Sequence, residues 1–320
     1  MGTKYKWGVL GCAAIAENRF LPAMMMSETA ELYAVASRNV EKAERFKAKF
    51  GFAKLYASYD ELLDDEDVQI VYIPLPNGMH KEWVVKAANK GKHVLCEKPL
   101  CLSAKECEEI IEAGKRNRVV IMEAFMFRFS DRMRKVNAIL ESGEIGEVRH
   151  VYSSFGFLQS NPADYRLLPE MGGGAVYDVG SYTLNFIGMV MKENPIKVVP
   201  NIISKNGIDV TTSIFMQYAS GATCVINCWF DSFIRRYSEI NGTRGHIEIP
   251  DTFWGDSINM FVVTAEGRRE VEINEDYNRY LAEAQNVEQA AFNGAPLTIP
   301  LEETLRNYRV IDEVVKLCKQ

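Results

Sequence analysis

The sequence lacks a long hydrophobic run, an excess of positive charge and an export signal. No apolar stretch approaches 18 residues, so we expect no membrane-spanning helix. Lysine and arginine number 37 against 43 aspartates and glutamates, a net charge of −6, which argues against nucleic acid or a membrane surface as the partner. The residues after Met1 enter a strand pattern without the apolar core of a signal peptide, so we expect a cytoplasmic protein.

Histidine is scarce and cysteine is scattered. The four histidines are not spaced with cysteines or acids as metal ligands are, so we expect no metal. The seven cysteines are an odd number without a secretion signal, which favours reduced thiols. We expect Cys224 and Cys228 to be small core residues on one strand face.

What the sequence does contain is enough apolar material for a large core. Hydrophobic residues make up 47% of the 320 residues and charged ones 25%, which is typical of a globular protein of about two domains. In residues 1–123 short apolar strands alternate with amphipathic helices, and Ser58/Glu61 and Ser103/Glu106 form capping boxes. This alternation predicts an α/β domain with a doubly wound parallel sheet.

Residues 124–320 follow a different pattern. Helices at about 131–142 and 174–191 are embedded among β-rich runs separated by turn signals such as Asn241-Gly242. The pattern predicts an α+β domain with an open, mainly antiparallel sheet. A helix over 302–319 closes the chain, and packing against the first domain is one option for it. The predicted strands are Val148–Phe157, Val198–Ser204, Thr211–Tyr218, Ala222–Phe230, Ser257–Thr264 and Arg269–Ile273.

The turn after the first strand carries a glycine pattern for binding a dinucleotide. It reads Gly11-x-Ala13-x-x-Ala16, with Ala14 and Ile15 between, where the fingerprint is G-x-G-x-x-G/A. Gly11 permits the sharp turn, and the helix N-terminus offers N–H groups to a pyrophosphate. Ala13 departs from the pattern, because its Cβ stands where the backbone approaches the phosphates.

The end of the second strand indicates which dinucleotide binds. NAD-binding chains usually have an acid there for the ribose hydroxyls, whereas this chain has Ser37-Arg38 and no acid at positions 36 to 40. A guanidinium suits a 2′-phosphate, so NADP is favoured and NAD is the alternative. Arg38 could otherwise be an ordinary exposed arginine at a helix start.

Two loops follow the next strands. Pro74-Leu75-Pro76-Asn77 contains two prolines that bar regular structure, and we expect it to lie along the nicotinamide half of the cofactor. Glu97-Lys98-Pro99 follows the strand His93–Cys96, so the proline restrains the backbone of Lys98 at a sheet edge where ligands bind. The alternative for Lys98 is a surface lysine in a turn.

A third motif opens a helix of the second domain. Gly172, Gly173 and Gly174 precede a stripe of polar residues spaced i, i+3, i+4 and i+7, which places them on one helix face. The stripe is a candidate ligand-binding face, and a solvated helix face is the alternative. Its members are Asp178, Ser181, Tyr182 and Asn185.

Taken together, these motifs resemble the glucose–fructose oxidoreductase / inositol dehydrogenase / rhizopine catabolism (Gfo/Idh/MocA) family over nearly the whole chain. The resemblance implies a Rossmann domain followed by an α/β domain whose open sheet often forms the oligomer interface, hence a homodimer or homotetramer. It also implies that Lys98 contacts substrate and cofactor. The residues that carry it include Gly11 to Ala16, Ser37-Arg38, Pro76-Asn77, His80, Cys96 to Pro99 and Gly172 to Tyr182.

A tyrosine narrows the resemblance to one side of the family. Many members carry Asp-x-x-x-His in the second domain, whereas this chain carries Asp178-x-x-x-Tyr182, like the sugar reductases and dihydrodiol dehydrogenases. The resemblance implies that Tyr182 is the acid/base, that Asp178 holds a neighbouring hydroxyl, and that Tyr165 and Arg166 line the substrate pocket. It implies a cofactor site that consists of Gly11, Ala13, Ala14, Ile15, Ser37, Arg38, Pro74, Pro76, Asn77, His80, Glu97 and Lys98.

The expected function is an NAD(P)-dependent oxidoreductase that transfers a hydride between nicotinamide and a sugar or polyol carbon. A trans-dihydrodiol dehydrogenase and a nucleotide-sugar ketoreductase are alternatives, because the same Lys98 and Tyr182 chemistry serves all three. A non-catalytic dinucleotide-binding regulator is a further alternative. The presence of both Lys98 and Tyr182 favours an enzyme.

Overall fold

The computed structural model describes residues 4–254, 258–274 and 278–318. The chain divides into two compact units, the first formed by residues 1–126 with 277–301 and the second by residues 127–276 with 302–320. The expected boundary at 123 therefore moves by only a few residues, but the chain returns to the first unit before its last helix.

The first unit contains a parallel sheet of six strands in the order β3-β2-β1-β4-β5-β6. This is the order of a dinucleotide-binding fold, in which the strand order reverses between β1 and β4. All four residues of β4 are buried, as expected for a strand covered on both faces by helices. The strands are β1 (Tyr5–Leu10), β2 (Ala30–Ala36), β3 (Lys54–Tyr56), β4 (Ile70–Ile73), β5 (His93–Glu97) and β6 (Ile121–Ala124).

Two helices of the first unit begin at serine caps that the sequence predicts. The Ser58 hydroxyl accepts the Glu61 N–H at 3.1 Å and the Ser103 hydroxyl accepts the Glu106 N–H at 3.2 Å, so both predicted serine caps are confirmed. A π-helical turn, Ala16–Phe20, leads into the first α-helix. The helices are α1 (Leu21–Met24), α2 (Val40–Phe50), α3 (Tyr59–Asp64), α4 (His80–Asn89), α5 (Ala104–Asn117) and α8 (Arg279–Asn293).

The sequence patterns did not predict α8, which joins the first unit through long-range contacts. Phe292 stacks on Tyr5 with ring centroids 4.4 Å apart, and Glu288 accepts the indole N–H of Trp7 at 2.9 Å. Trp7 and Glu288 are 281 residues apart in the sequence, so no local pattern predicts their contact. They explain why residues 277–301 belong to the first unit.

The second unit contains an eight-stranded sheet in the order β14-β13-β12-β11-β7-β10-β9-β8. Strands β7 and β10 pair in parallel and every other neighbouring pair is antiparallel, so the predicted open, mainly antiparallel sheet is confirmed. The strands are β7 (Val148–Gly156), β8 (Lys197–Lys205), β9 (Ile208–Gln217), β10 (Thr223–Trp229), β11 (Arg235–Gly242), β12 (Gly245–Pro250), β13 (Met260–Thr264) and β14 (Gly267–Val271).

Three local predictions in this unit need correction. Asn241-Gly242 ends a strand, β11, and does not form the turn; a Cβ on Gly242 would lie 2.1 Å from the Ile145 carbonyl, so the glycine serves close backbone packing. Strands β11 and β12 were not predicted at all. The predicted strand from Ser257 begins outside the described residues, and its described part starts at Met260.

The helices of the second unit are α6 (Asp131–Ser142), α7 (Ser181–Met191) and α9 (Leu301–Cys318). The predicted end of α9 at Lys319 lies outside the described residues. From Glu302 onward this helix belongs to the second unit. There, Glu303 forms a buried ion pair with Arg128, which also donates to the Asn185 side chain at 2.9 Å.

Candidate functional site

The turn after β1 is shaped for a ligand that needs close approach to the backbone. Gly11 has a φ of 107°, and a Cβ there would lie 2.9 Å from the Leu75 side chain. The Glu17 N–H donates to the Ala13 carbonyl at 3.0 Å, so helical hydrogen bonding begins at Ala13. The N–H groups of the first helical turn have no partner within the helix and can bind a ligand. This turn therefore fits a dinucleotide pyrophosphate.

Residues 13 to 15 form the first turn of that helix. Ala13 and Ile15 are half-buried and Ala14 is exposed, whereas Ala16 is fully buried against the sheet. The small side chains of Ala13 and Ala14 leave space for a ligand at the turn, and that of Ala16 allows tight packing in the core.

The end of β2 places Arg38 in solvent beside a buried serine. The Ser37 hydroxyl accepts the Asn39 N–H at 3.1 Å, and Asn39 in turn caps α2. The Arg38 guanidinium lies beside the Tyr59 hydroxyl. Burial raises the pKa of Tyr59, and the charge of Arg38 and its hydrogen bond oppose that rise. Arg38 is therefore at the same sheet edge as Gly11, since that hydroxyl would lie 3.8 Å from a Cβ on Gly11.

The loop after β4 packs against Gly11 through Leu75. Pro74 is buried, Pro76 is half-buried, and Asn77 is buried at the start of a 3₁₀ turn. His80, which the resemblance places among the cofactor ligands, is instead fully buried. Its Nδ1 lies 2.7 Å from the Pro99 carbonyl and its Nε2 lies 2.6 Å from the Leu75 carbonyl, so the ring is not placed to contact a ligand directly.

The end of β5 holds Glu97 and Lys98. The Tyr72 hydroxyl donates to Glu97 at 2.6 Å, and burial raises the pKa of this carboxyl. Glu97 is thus turned toward the neighbouring strand. Lys98 is half-buried, and the peptide bond that joins it to Pro99 is cis.

In the second unit the three glycines allow one segment to approach the start of the polar helix. The Gly174 N–H donates to the Arg166 carbonyl at 2.9 Å, and a Cβ on Gly173 would lie 2.6 Å from the same oxygen. Gly174 also has a φ of 120°, which side-chain-bearing residues rarely adopt. The glycine run therefore fixes the position of Arg166.

Arg166 forms an ion pair with Asp178. Its Nε donates to the Asp178 carboxylate at 2.8 Å, and its guanidinium lies 4.7 Å from the Tyr165 ring centre. Burial opposes the charge on Arg166, but Asp178 and Asp164 outweigh it and raise the pKa of the guanidinium. The structure thus brings Tyr165, Arg166 and Asp178 together.

The polar stripe of this helix is buried, so the alternative of a solvated face is wrong. Its four members are at most 6% exposed. The helix opens with a π-helical stretch, Val176–Gly180, and continues as α7. π-Helical turns are frequent at functional sites.

Tyr182 is surrounded by aromatic rings. Its ring centre lies 5.8 Å from that of Phe127, 5.4 Å from Phe155 and 5.6 Å from Phe253. These apolar neighbours fix the orientation of the ring and exclude water from its flanks.

Sequence reasoning missed Asp209, which holds the start of this helix. Its carboxylate accepts the Val176 N–H at 2.8 Å and the Thr212 hydroxyl at 2.7 Å. Burial raises the pKa of Asp209 to about 6. No local spacing signals this role, because the carboxylate and the amide are 33 residues apart.

Two features are absent from the described residues. No helix in residues 4–254, 258–274 or 278–318 is long and apolar enough to cross a bilayer. In the same ranges no three histidine, cysteine, aspartate or glutamate side chains are grouped closely enough to hold a metal ion.

Comparison with known proteins gives the family. The model of the oxidoreductase family with an NAD-binding Rossmann fold matches residues 5–125, and that of the GFO/IDH/MocA C-terminal domain matches residues 133–248. D-xylose 1-dehydrogenase (NADP(+)) 2 of Haloferax volcanii is 34% identical over 96% of this chain and 95% of its own. Trans-1,2-dihydrobenzene-1,2-diol dehydrogenase of Mus musculus is 31% identical over 97% and 96%.

A solved structure is similar over the same length. The 3-ketoreductase of Actinomadura kijaniata, solved with NADP and TDP-benzene, has a TM-score of 0.88 and 27% identity, covering 97% of this chain and 96% of the other. That ketoreductase has also been solved with one tyrosine replaced by phenylalanine and with one lysine replaced by alanine. The protein therefore belongs to the Gfo/Idh/MocA family and is an NAD(P)-dependent oxidoreductase.

Proposed function

We propose that this enzyme oxidises a CH–OH group of a sugar or polyol, or reduces the corresponding carbonyl, and that NADP is its preferred cofactor. The observation that carries the substrate class is the ion pair between Arg166 and Asp178. Asp178 lies one turn before Tyr182 on the buried helix face. A sugar hydroxyl both donates and accepts hydrogen bonds, so a guanidinium beside a carboxylate recognises adjacent hydroxyls. The relatives named for xylose and dihydrodiol substrates, and the similar 3-ketoreductase, support the same class.

The roles of the chain's own residues follow from their chemistry. When bound, the nicotinamide supplies the acceptor or donor of a hydride. Tyr182 takes the hydroxyl proton during oxidation and returns it during reduction. The Lys98 ammonium contacts the substrate oxygen. Asp178 holds an adjacent hydroxyl, while Arg166 and Tyr165 line the pocket around it.

The cofactor preference rests on Arg38. Its exposed guanidinium stands at the edge where the ribose of a dinucleotide binds, and no acid lies at positions 36 to 40 to repel a 2′-phosphate. Gly11, Ala13, Ala14 and Ile15 are proposed to hold the pyrophosphate. Pro74, Pro76 and Asn77 are proposed to flank the nicotinamide, and Ser37 the ribose.

The test is a substrate screen followed by two substitutions. Aldoses, dTDP-linked ketosugars and trans-dihydrodiols would be assayed with NADP(H) and NAD(H). For an active substrate, Tyr182→Phe and Lys98→Ala should each lower kcat by about 10²- to 10⁴-fold, as expected on loss of acid/base catalysis. NADPH fluorescence should show that Tyr182→Phe still binds the cofactor.

Matched controls remove the same groups elsewhere. Tyr33→Phe deletes a hydroxyl bonded to Asp67, and Lys90→Ala deletes an exposed lysine paired with Asp64. Both should keep wild-type turnover. Wild-type kcat in Tyr182→Phe and Lys98→Ala would show that the assigned roles are wrong. NADPH binding without turnover of any substrate would instead favour the regulator.

A further inference from the structure

We infer that His80 and Glu123 are positioning residues that fix Lys98 by clasping the peptide group between Pro99 and Leu100 from both sides. The inference rests on the proposed role of Lys98 and explains what holds that lysine in place. His80 lies at the start of α4 and Glu123 lies in β6, so the two side chains reach the turn after β5 from different elements.

The clasp acts on a single peptide plane. The carbonyl of that plane, from Pro99, lies 2.7 Å from His80 Nδ1. Its N–H, from Leu100, donates to Glu123 Oε1 at 2.9 Å. A peptide group is planar, so holding it at both ends fixes its orientation and hence the direction of the chain one residue from Lys98.

The turn has a specific need for such support. Pro99 has no N–H, so its own residue cannot donate the hydrogen bond that would tie the turn to the sheet. The peptide group between Pro99 and Leu100 is the next one that can be held by hydrogen bonds. Its two partners are side chains, His80 and Glu123, and not the backbone of a neighbouring strand.

The same imidazole reaches a second loop. His80 Nε2 lies 2.6 Å from the carbonyl of Leu75, whose side chain packs against the Gly11 turn. One ring thus lies between the loop after β4 and the turn after β5. Both neighbours are carbonyl acceptors, so a neutral imidazole, which has one N–H, donates to one of them at a time. Since we propose that the first loop flanks the nicotinamide, His80 sets the spacing between that loop and Lys98.

Burial limits both residues to this indirect role. His80 is fully buried and Glu123 is 2% exposed, so neither side chain is accessible to a substrate. Burial lowers the pKa of His80, although its two carbonyl contacts act in the opposite direction. Both side chains are polar and buried, and an apolar pair would be buried at less cost.

The test compares truncation with conservative replacement. His80→Ala and Glu123→Ala should each lower kcat by at least about tenfold, since small misplacements of a catalytic group can cost about a hundredfold. Glu123→Gln keeps a side-chain oxygen for the Leu100 N–H and should restore most of the activity. The dissociation constant for NADPH should change much less than kcat.

A double-substitution cycle shows whether the effect passes through Lys98. In a Lys98→Ala background, adding Glu123→Ala should cause no further loss of kcat, because residues that act as a unit are not additive. Additive losses would overturn the inference. The control is Glu288→Ala, which removes another buried glutamate of the first unit that bonds Trp7 and Thr29, and which should leave kcat of the folded protein unchanged.

A readout independent of turnover separates this inference from the proposed function. The rate at which an amine-specific reagent labels Lys98, followed by mass spectrometry, should change in Glu123→Ala and return toward wild type in Glu123→Gln. Unchanged labelling in Glu123→Ala would overturn the clasp even in an active enzyme. Changed labelling in a protein that turns over no sugar or diol would leave the clasp standing and reject the proposed function. If His80→Ala does not fold, the comparison of Glu123→Ala with Glu123→Gln tests the inference by itself.

Discussion

At the scale of single residues, the proposed preference for NADP rests on Arg38. It is exposed, it follows the buried Ser37, and it lies beside the Tyr59 hydroxyl. A guanidinium held at a strand end in this way offers a planar fork of donors to a phosphate.

The first prediction concerns that charge. Arg38→Ala should weaken NADPH binding by about ten- to a hundredfold, because a hydrogen bond to a charged group contributes about 1.5–3 kcal/mol. NADH binding should change little. The matched control is Arg45→Ala, an exposed arginine on α2 paired with Glu17, which should leave both affinities unchanged. Equal losses for the two cofactors would mean that Arg38 stacks on the adenine and does not read the 2′-phosphate.

At the scale of elements, the helix that carries Tyr182 depends on a carboxylate from a neighbouring strand. Asp209 is the second residue of β9 and accepts the Val176 N–H at the helix start. The thiols of Cys228 and Cys318 sense its negative charge. The carboxylate is stabilised by its hydrogen bonds and by the helix dipole.

This arrangement predicts a pH dependence of stability with a definite sign. The pKa of Asp209 is raised from 3.8 to about 6 in the folded protein, so between about pH 4 and 6 the folded state holds a proton that the unfolded chain has lost. Stability therefore falls as pH rises through this window, by about 3 kcal/mol in order of magnitude. Asp209→Asn cannot ionise and should lack this fall.

Thermal unfolding of both proteins at pH 4, 5, 6 and 7 measures the effect. The melting temperature of Asp209→Asn relative to wild type should increase steadily from pH 4 to pH 7. A difference that stays constant across this range would show that Asp209 does not titrate in the folded protein within it.

At the scale of the whole molecule, the eight-stranded sheet leaves one face open. Val199, Phe215, Val225 and Tyr152 are paired in register across β8, β9, β10 and β7, so their side chains share that face. The first three are 37–46% exposed. We propose that this face joins copies of the chain into a homodimer or homotetramer, as the family resemblance implies.

Phe215→Glu should shift the protein toward the monomer, because a carboxylate at the centre of an apolar interface is costly to bury. Sedimentation velocity at micromolar concentration measures the change. Met26→Glu is the matched control, since it places the same charge on an exposed methionine of the first unit. A wild-type protein that sediments as a monomer would remove the proposal.

The sequence by itself determined the features that depend on near neighbours in the chain. Alternating apolar strands and amphipathic helices predicted the parallel sheet, Ser58 and Ser103 predicted helix starts, and motifs at strand ends predicted the dinucleotide edge. These signals are readable because periodicity, caps and turn residues act over a few positions.

Only the tertiary structure decided which side chains meet across the chain and which of them are buried. It placed Asp209 on an amide 33 residues away and paired Arg128 with Glu303, 175 residues away. It also buried a polar helix face that the sequence pattern alone left open to solvent, and turned His80 from a candidate ligand into a bridge between two loops. Long-range pairing and desolvation create these contacts, and neither leaves a period or a local signature in the order of residues.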